Sequence, residues 1–153
     1  AEADTEEQLR AQLKRLLESQ KMTEQEAECI RIWDIRRFVE SGLGQRMKKA
    51  AMKKHLYREQ PFVIQRSASM LDDGWKNETV LVQGIIDAYF MEEEEIVLVD
   101  YKTDRVKRGQ EQKLIDLYHV QLEDYARALE RMTGKKVKEK IIYSFTLQKE
   151  ILL

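Results

Sequence analysis

The chain of 153 residues has one cysteine, one proline and six glycines, and each scarcity closes off a class of protein. Cys29 alone cannot form an internal disulfide or build a cysteine-rich metal or iron–sulfur site. A reducing, cytoplasmic setting is the expectation. No apolar run approaches the roughly 18 residues of a membrane-spanning helix, and nothing at the N-terminus reads as a secretion signal, so no membrane role is expected. With 27 basic against 28 acidic residues, no global field draws in a nucleic acid, and any such binding needs a local patch. Repeats and low-complexity linkers are missing. So is the GxxxxGK[ST] phosphate loop, so no ATP site is expected in this stretch. What remains is 42% hydrophobic and 36% charged, a well-solvated single domain long enough to bury a core.

The most informative stretch is Val80 to Asp104. Two apolar, strand-like runs, Val80–Phe90 and Ile96–Lys102, flank Met91 and the glutamates 92–95, yet Asp87, Asp100 and Lys102 interrupt them. A hairpin turning in the middle of Glu92–Glu95 sets Met91 opposite Ile96 and Asp87 opposite Asp100. Opposed residues have Cβ atoms roughly 4.5–5.5 Å apart, where like charges repel. A hard divalent cation between two carboxylates removes that cost. Strand alternation puts Lys102 on the face of Asp100, so two carboxylates and one ammonium converge on one spot. That is the outline of a hydrolytic site. The glutamate run itself reads as a solvated hairpin tip.

Around the hairpin, Thr5–Gln8 reads as a capping box opening a helix with Leu9, Leu13, Leu16 and Leu17 on one face. Thr23–Glu26 repeats the signal, with Ala27, Ile30, Trp33/Asp34 and Phe38 following and Cys29 as a small core residue. Ser41-Gly42 ends that helix and opens another towards Lys54. The stretch Arg46–Arg58 carries six basic residues and no acid before Arg58, either a solvated face or a contact for phosphates. His55 at its end reads as a surface residue. Tyr57–Ala68 reads as a strand in which Pro61 marks an edge or the strand's beginning, and Asp72-Asp73-Gly74 as a turn. After Thr103-Asp104 and the basic run Arg105, Lys107, Arg108 comes a helix over about Glu111–Met132, closed by Gly134. Lys140–Leu147 is the last strand. Strand, helix, strand calls for a crossover and a parallel pair. The fold class is therefore α/β: an αβββαβ core, with a small mixed sheet flanked by helices and extra helices at the N-terminus. Tyr118, Gln121 and Tyr125 recur at helical spacing on one stripe.

Asp87 followed by Asp100-Tyr101-Lys102 matches the PD-(D/E)xK nuclease pattern, with Gly84-Ile85-Ile86-Asp87 in place of Pro-Asp. Glu59-Gln60-Pro61-Phe62, Val99–Asp104, Tyr118-x-x-Gln121-x-x-x-Tyr125 and Ile142-Tyr143-Ser144-Phe145 stand in the order found in RecB-type nuclease domains. The chain resembles that family, and within it the AddA type found in bacterial AddAB helicase–nucleases. The resemblance runs from Tyr57 to the C-terminus, making residues 57–153 the restriction-endonuclease-like core and residues 1–56 a helical part of the same domain.

The resemblance implies that Asp87, Asp100 and the carbonyl of Tyr101 bind Mg²⁺, for which Mn²⁺ or Ca²⁺ substitute in binding. It implies that Glu59 is a further acidic site residue, that Lys102 serves the attacking water and the phosphate, and that Gln121 and Tyr125 meet the DNA. Tyr118, Arg105, Lys107 and Arg108 are the other candidate DNA contacts. The implied partners are single-stranded DNA, an upstream helicase part and an AddB-like subunit, in recombinational repair of double-strand breaks. The family also carries an upstream metal-binding histidine. Neither His55 nor His119 is placed for it, so it is expected before Ala1 in a larger chain. The rivals are a catalytically silent scaffold of the same fold, a stand-alone nuclease with an iron–sulfur cluster, which one cysteine cannot build, and a dimeric junction resolvase.

Overall fold

A computed structural model describes residues 2–18, 24–67 and 79–153. Three helices come first, α1 (Glu2–Glu18), α2 (Glu24–Glu40) and α3 (Gly42–Met52). Strands β1 (Leu56–Ser67), β2 (Thr79–Glu92) and β3 (Glu95–Lys102) follow, then α4 (Glu111–Thr133), β4 (Val137–Ser144) and β5 (Lys149–Leu152). Among the described residues they form one sheet in the order β1-β2-β3-β4-β5. β1, β2 and β3 make an antiparallel meander, and β3 pairs parallel with β4 across α4. Pro61 lies, as expected, on the edge strand.

Three expectations need correction. Helix α1 already begins at Glu2, so Thr5 lies within it and is not its cap. The last apolar stretch is not one strand: residues 145–148 turn, and Ile151 returns beside Ile142. Trp33 faces solvent, and the buried side of α2 runs through Asp34, Ile35 and Phe38. The Thr23 cap, the side chain of Cys29 and the Asp72-Asp73-Gly74 turn lie outside the described residues.

Alternation along β3 explains both layers. Val97, Val99 and Tyr101 point to the face covered by α1, α2 and α3, where Phe38 meets the rings of Tyr101 and Tyr143 edge-on at 5.4 and 4.7 Å. Ile96 and Leu98 point to the face covered by α4, where they join Leu114, Leu122 and Leu129. A strand buried on both faces needs apolar residues at every position, and β3 has them from Ile96 to Val99. That aspartate and Lys102 continue the α4 side of the alternation.

Helices α2 and α3 meet so closely that only glycine fits at position 44. Ser41 Oγ caps α3 by accepting from Gly44 N–H at 3.1 Å. A Cβ on Gly44 would stand 2.2 Å from the carbonyl oxygen of Phe38. We expect Gly44→Ala to destabilise the chain by about 2–3 kcal/mol, as overpacked sites do, read as a lowered urea midpoint with unchanged slope.

The basic stretch after Ser41 is partly structural. Arg46 holds Glu92 through two hydrogen bonds (3.0 and 2.7 Å) and Glu139 through one (2.6 Å), while Lys138 reaches Glu92 at 3.2 Å. These ties fasten α3 to the hairpin and to β4. They hold the Glu92 carboxyl down at about 2, chiefly through its hydrogen bond to Arg46. A depressed carboxyl contributes stability that is complete above its unfolded value and disappears as pH falls through its folded one. The parent should therefore lose about 2 kcal/mol between about pH 4.5 and 2 that Glu92→Gln never had, as thermal melts of the two across that range would read. Lys49, Lys53 and Lys54 have no such partner among the described residues.

Candidate active site

The site lies where the meander meets the first half of α4. The hairpin turns between Glu92 and Glu95, with Glu93 and Glu94 both at positive φ (49° and 69°). A two-residue turn of this kind matches the twist of paired strands. It pairs Met91 with Ile96 and, as the last rung, Ala88 with Val99; Asp87 stands one residue past that rung and reaches β3 through its side chain. Glu93 and Glu94 are exposed at the tip, whereas Glu92 is tied down by Arg46.

Both carboxylates are largely out of water. Asp100 is 3% exposed. Asp87 Oδ2 accepts from the Tyr101 N–H at 2.8 Å. From the other side, Gln12 of α1 donates to the Asp87 carbonyl at 2.9 Å. Burial first, and then the charge of Asp100, raise the Asp87 carboxyl to about 7. Two desolvated carboxyls this close disfavour double ionisation.

Lys102 is held from three sides. Its Nζ donates to Gln121 Oε1 at 2.9 Å, stands 2.9 Å from Asp100 Oδ2 and lies 3.9 Å from the centroid of the Tyr118 ring. Tyr118 in turn donates its hydroxyl to Asp104 at 2.6 Å, which raises that phenol to about 12. The approach of Lys102 to Asp100 Oδ2 does not have hydrogen-bond geometry, and this buried oxygen has no donor among the described residues. A carboxylate oxygen sealed from water, with lone pairs left over beside the Lys102 ammonium, suits a hard cation. The pair thus fits a divalent metal by the chemistry of its donors, although among the described residues no third His, Cys, Asp or Glu joins it.

The other candidates divide. Tyr125 stands on the same stripe of α4, half-buried, its ring edge-on to Phe62 at 5.0 Å; burial, then the charges of Asp100 and Asp87, raise its phenol to about 12. Glu59 is not brought to the pair. In the β1–β2 register it falls opposite Asp87, but its backbone turns left-handed (φ 51°) and it binds Arg15 of α1 at 2.8 Å. Left-handed backbone on a non-glycine residue is strained and concentrates at functional sites. Arg105, Lys107 and Arg108 lie exposed in the loop after β3, without an acidic partner among the described residues. Gln12 is a site neighbour that the sequence reading missed. Its signal was a polar residue on the Leu9–Leu13–Leu16 side of α1.

A family model described as the PD-(D/E)XK nuclease superfamily matches residues 1–151. The A-type chain of an ATP-dependent helicase/nuclease from Clostridium novyi (strain NT) is 39% identical over 150 residues, covering 95% of this chain and 12% of the relative. Proteins of the same name from Clostridium perfringens (strain 13) and Thermoanaerobacter sp. (strain X514) are 37% and 42% identical, covering 94% and 90% of this chain and 12% and 11% of theirs. The chain thus spans about one eighth of the length of the curated relatives it matches. No helix among the described residues is long and apolar enough to cross a membrane.

Proposed function

We infer the function from one premise: the chain belongs to the PD-(D/E)XK nuclease superfamily. On our reading it is a metal-dependent deoxyribonuclease domain that hydrolyses phosphodiester bonds of single-stranded DNA. A helicase part of the same protein, together with an AddB-like partner, delivers the strand, the one ending in 3′, during recombinational repair in the cytoplasm. The observation that supports the reading is the carboxyl pair of half-buried Asp87 and buried Asp100, with Lys102 held 2.9 Å from Asp100 Oδ2.

Asp87 and Asp100, helped by the Tyr101 carbonyl, are the residues that would hold Mg²⁺. When bound, such a cation polarises the phosphate and lowers the pKa of water. The chain's own residues do the rest. Gln121 and Tyr118 fix the Lys102 ammonium at the α4 side of the pair, where it can bind a phosphate oxygen and orient water. With its carbonyl taken by Lys102, Gln121 keeps its amide N–H groups for the strand. Tyr125 and the exposed Arg105, Lys107 and Arg108 complete the contact surface.

A silent scaffold is the second reading, and the absence of a third metal-ligating side chain among the described residues favours it. Cleavage of end-labelled single-stranded DNA with Mg²⁺ or Mn²⁺, compared with Asp100→Ala and Lys102→Ala, separates the two. Cleavage lost in both variants supports the enzyme. Silence both here and in the full-length protein overturns it.

A further inference from the structure

Beside Lys102 opens a cleft of about 270 Å³ between β1, β2 and α4. Its walls are Phe62, Val82, Gln83, Gly84, Val120 and Tyr125, and Gln121, the partner of Lys102, lines it as well. Gly84 and Phe62 are opposed across the β1–β2 ladder, and a Cβ on Gly84 would come within 2.9 Å of Phe62 Cε1. Glycine therefore lets the Phe62 ring lie against the backbone of β2, while Tyr125 meets the same ring edge-on. The outcome is an apolar, aromatic-sided notch opening next to a site suited to phosphates.

The cleft's lining is wrong for a phosphate. It carries no cation, and its one ionised group is the Asp124 carboxylate, already bonded by Arg66 at 3.1 Å. An anion would find no free cation among these lining residues. The uncharged, flat part of a nucleotide suits it, since every base has a π-face that aromatic side chains accept without regard to sequence. We propose that this cleft seats one unpaired nucleobase of the strand whose phosphate lies at Lys102. This rests on the nuclease reading and deepens it. A base enters the cleft only after leaving its stack and its partner, so preference for single strands is built into the wall between Gly84 and Val120. A channel that read phosphates alone would lack it.

The test compares binding of an oligodeoxythymidylate of about 12 nucleotides with the same oligomer lacking all its bases, by fluorescence anisotropy in chelator. Val120 is 45% exposed on α4, so Val120→Met narrows the cleft at its rim with a longer side chain that has no ring to stack on, without touching the core. The parent should bind the base-bearing strand about 10-fold more tightly than the abasic one. Val120→Met should lower that ratio by about threefold or more while leaving abasic binding unchanged. Equal binding of both strands by a parent that still cleaves DNA would overturn the seat alone, as would a ratio unchanged in Val120→Met. Binding of neither strand, with no cleavage, would overturn the seat and the nuclease reading together.

Discussion

Lys102→Met is expected to cut the rate of DNA cleavage about 1,000-fold while changing the affinity for single-stranded DNA by less than about threefold. Methionine preserves most of the stem but removes the ammonium that lies over the Tyr118 ring and that Gln121 and Asp100 hold in place. The loss therefore falls on the chemical step, where charge develops, more than on binding, which many phosphate and base contacts share. Single-turnover rates and anisotropy on the same preparations make the split visible. Retained far-UV circular dichroism guards against a folding explanation, because Asp100 is left without its cation at a cost of about 1–3 kcal/mol. An equal fall in rate and affinity would mean that Lys102 merely anchors the strand.

The second large effect runs opposite to the first. Asp87→Asn should abolish cleavage and yet make the metal-free protein more stable at pH 8 by about 2–4 kcal/mol. The Asp87 carboxyl is raised to about 7, by burial first and then by the charge of Asp100. A carboxyl raised on folding binds its proton more tightly folded than unfolded. Stability accordingly falls as pH rises from about 4 to about 7, and the whole penalty is present above that. Asparagine keeps an acceptor for the Tyr101 N–H and ionises at no pH. Urea titrations in chelator should find variant and parent close together near pH 4 and well apart at pH 8. Adding Mg²⁺ at pH 8 should then raise the parent by mass action and leave the variant unmoved. A variant less stable than its parent at pH 8 would mean that the pair is not under electrostatic stress.

Both effects concern residues that the sequence made visible, and the reason is local. A two-residue turn sets the β2–β3 register as far as Ala88 and Val99, and alternation along β3 puts Asp100 and Lys102 on one face; Asp87, one residue past the last rung, joins them through its bond to the Tyr101 N–H. Helix α4 was legible through its periodicity and its glycine end. The turn from β4 to β5 was not. It has no glycine, proline or asparagine: Gln148 takes a positive φ of 52°, and Ser144 Oγ accepts from the Leu147 N–H at 3.1 Å. Long-range side-chain contacts hold this turn, with Gln148 donating to Asp34 at 2.8 Å, and such contacts leave no local mark. Glu59 was hidden for the same reason. Its spacing suits a further acid of the site, but its left-handed backbone and its bond to Arg15 of α1 come from tertiary structure.

The nesting of the two connections also dictates an order of assembly. The β2–β3 hairpin closes over two residues, and a contact that short costs little chain entropy and forms in microseconds. The parallel β3–β4 pair must wait for the whole of α4 to be threaded between, a far slower search. Asp87 and Asp100 thus come together on a hairpin still bathed in water, and the burial that raises Asp87 arrives only when the helices close over the sheet. The chain meets its electrostatic conflict late in folding, as the packing completes. Mild acid, or a divalent cation, should therefore slow unfolding more than it accelerates refolding.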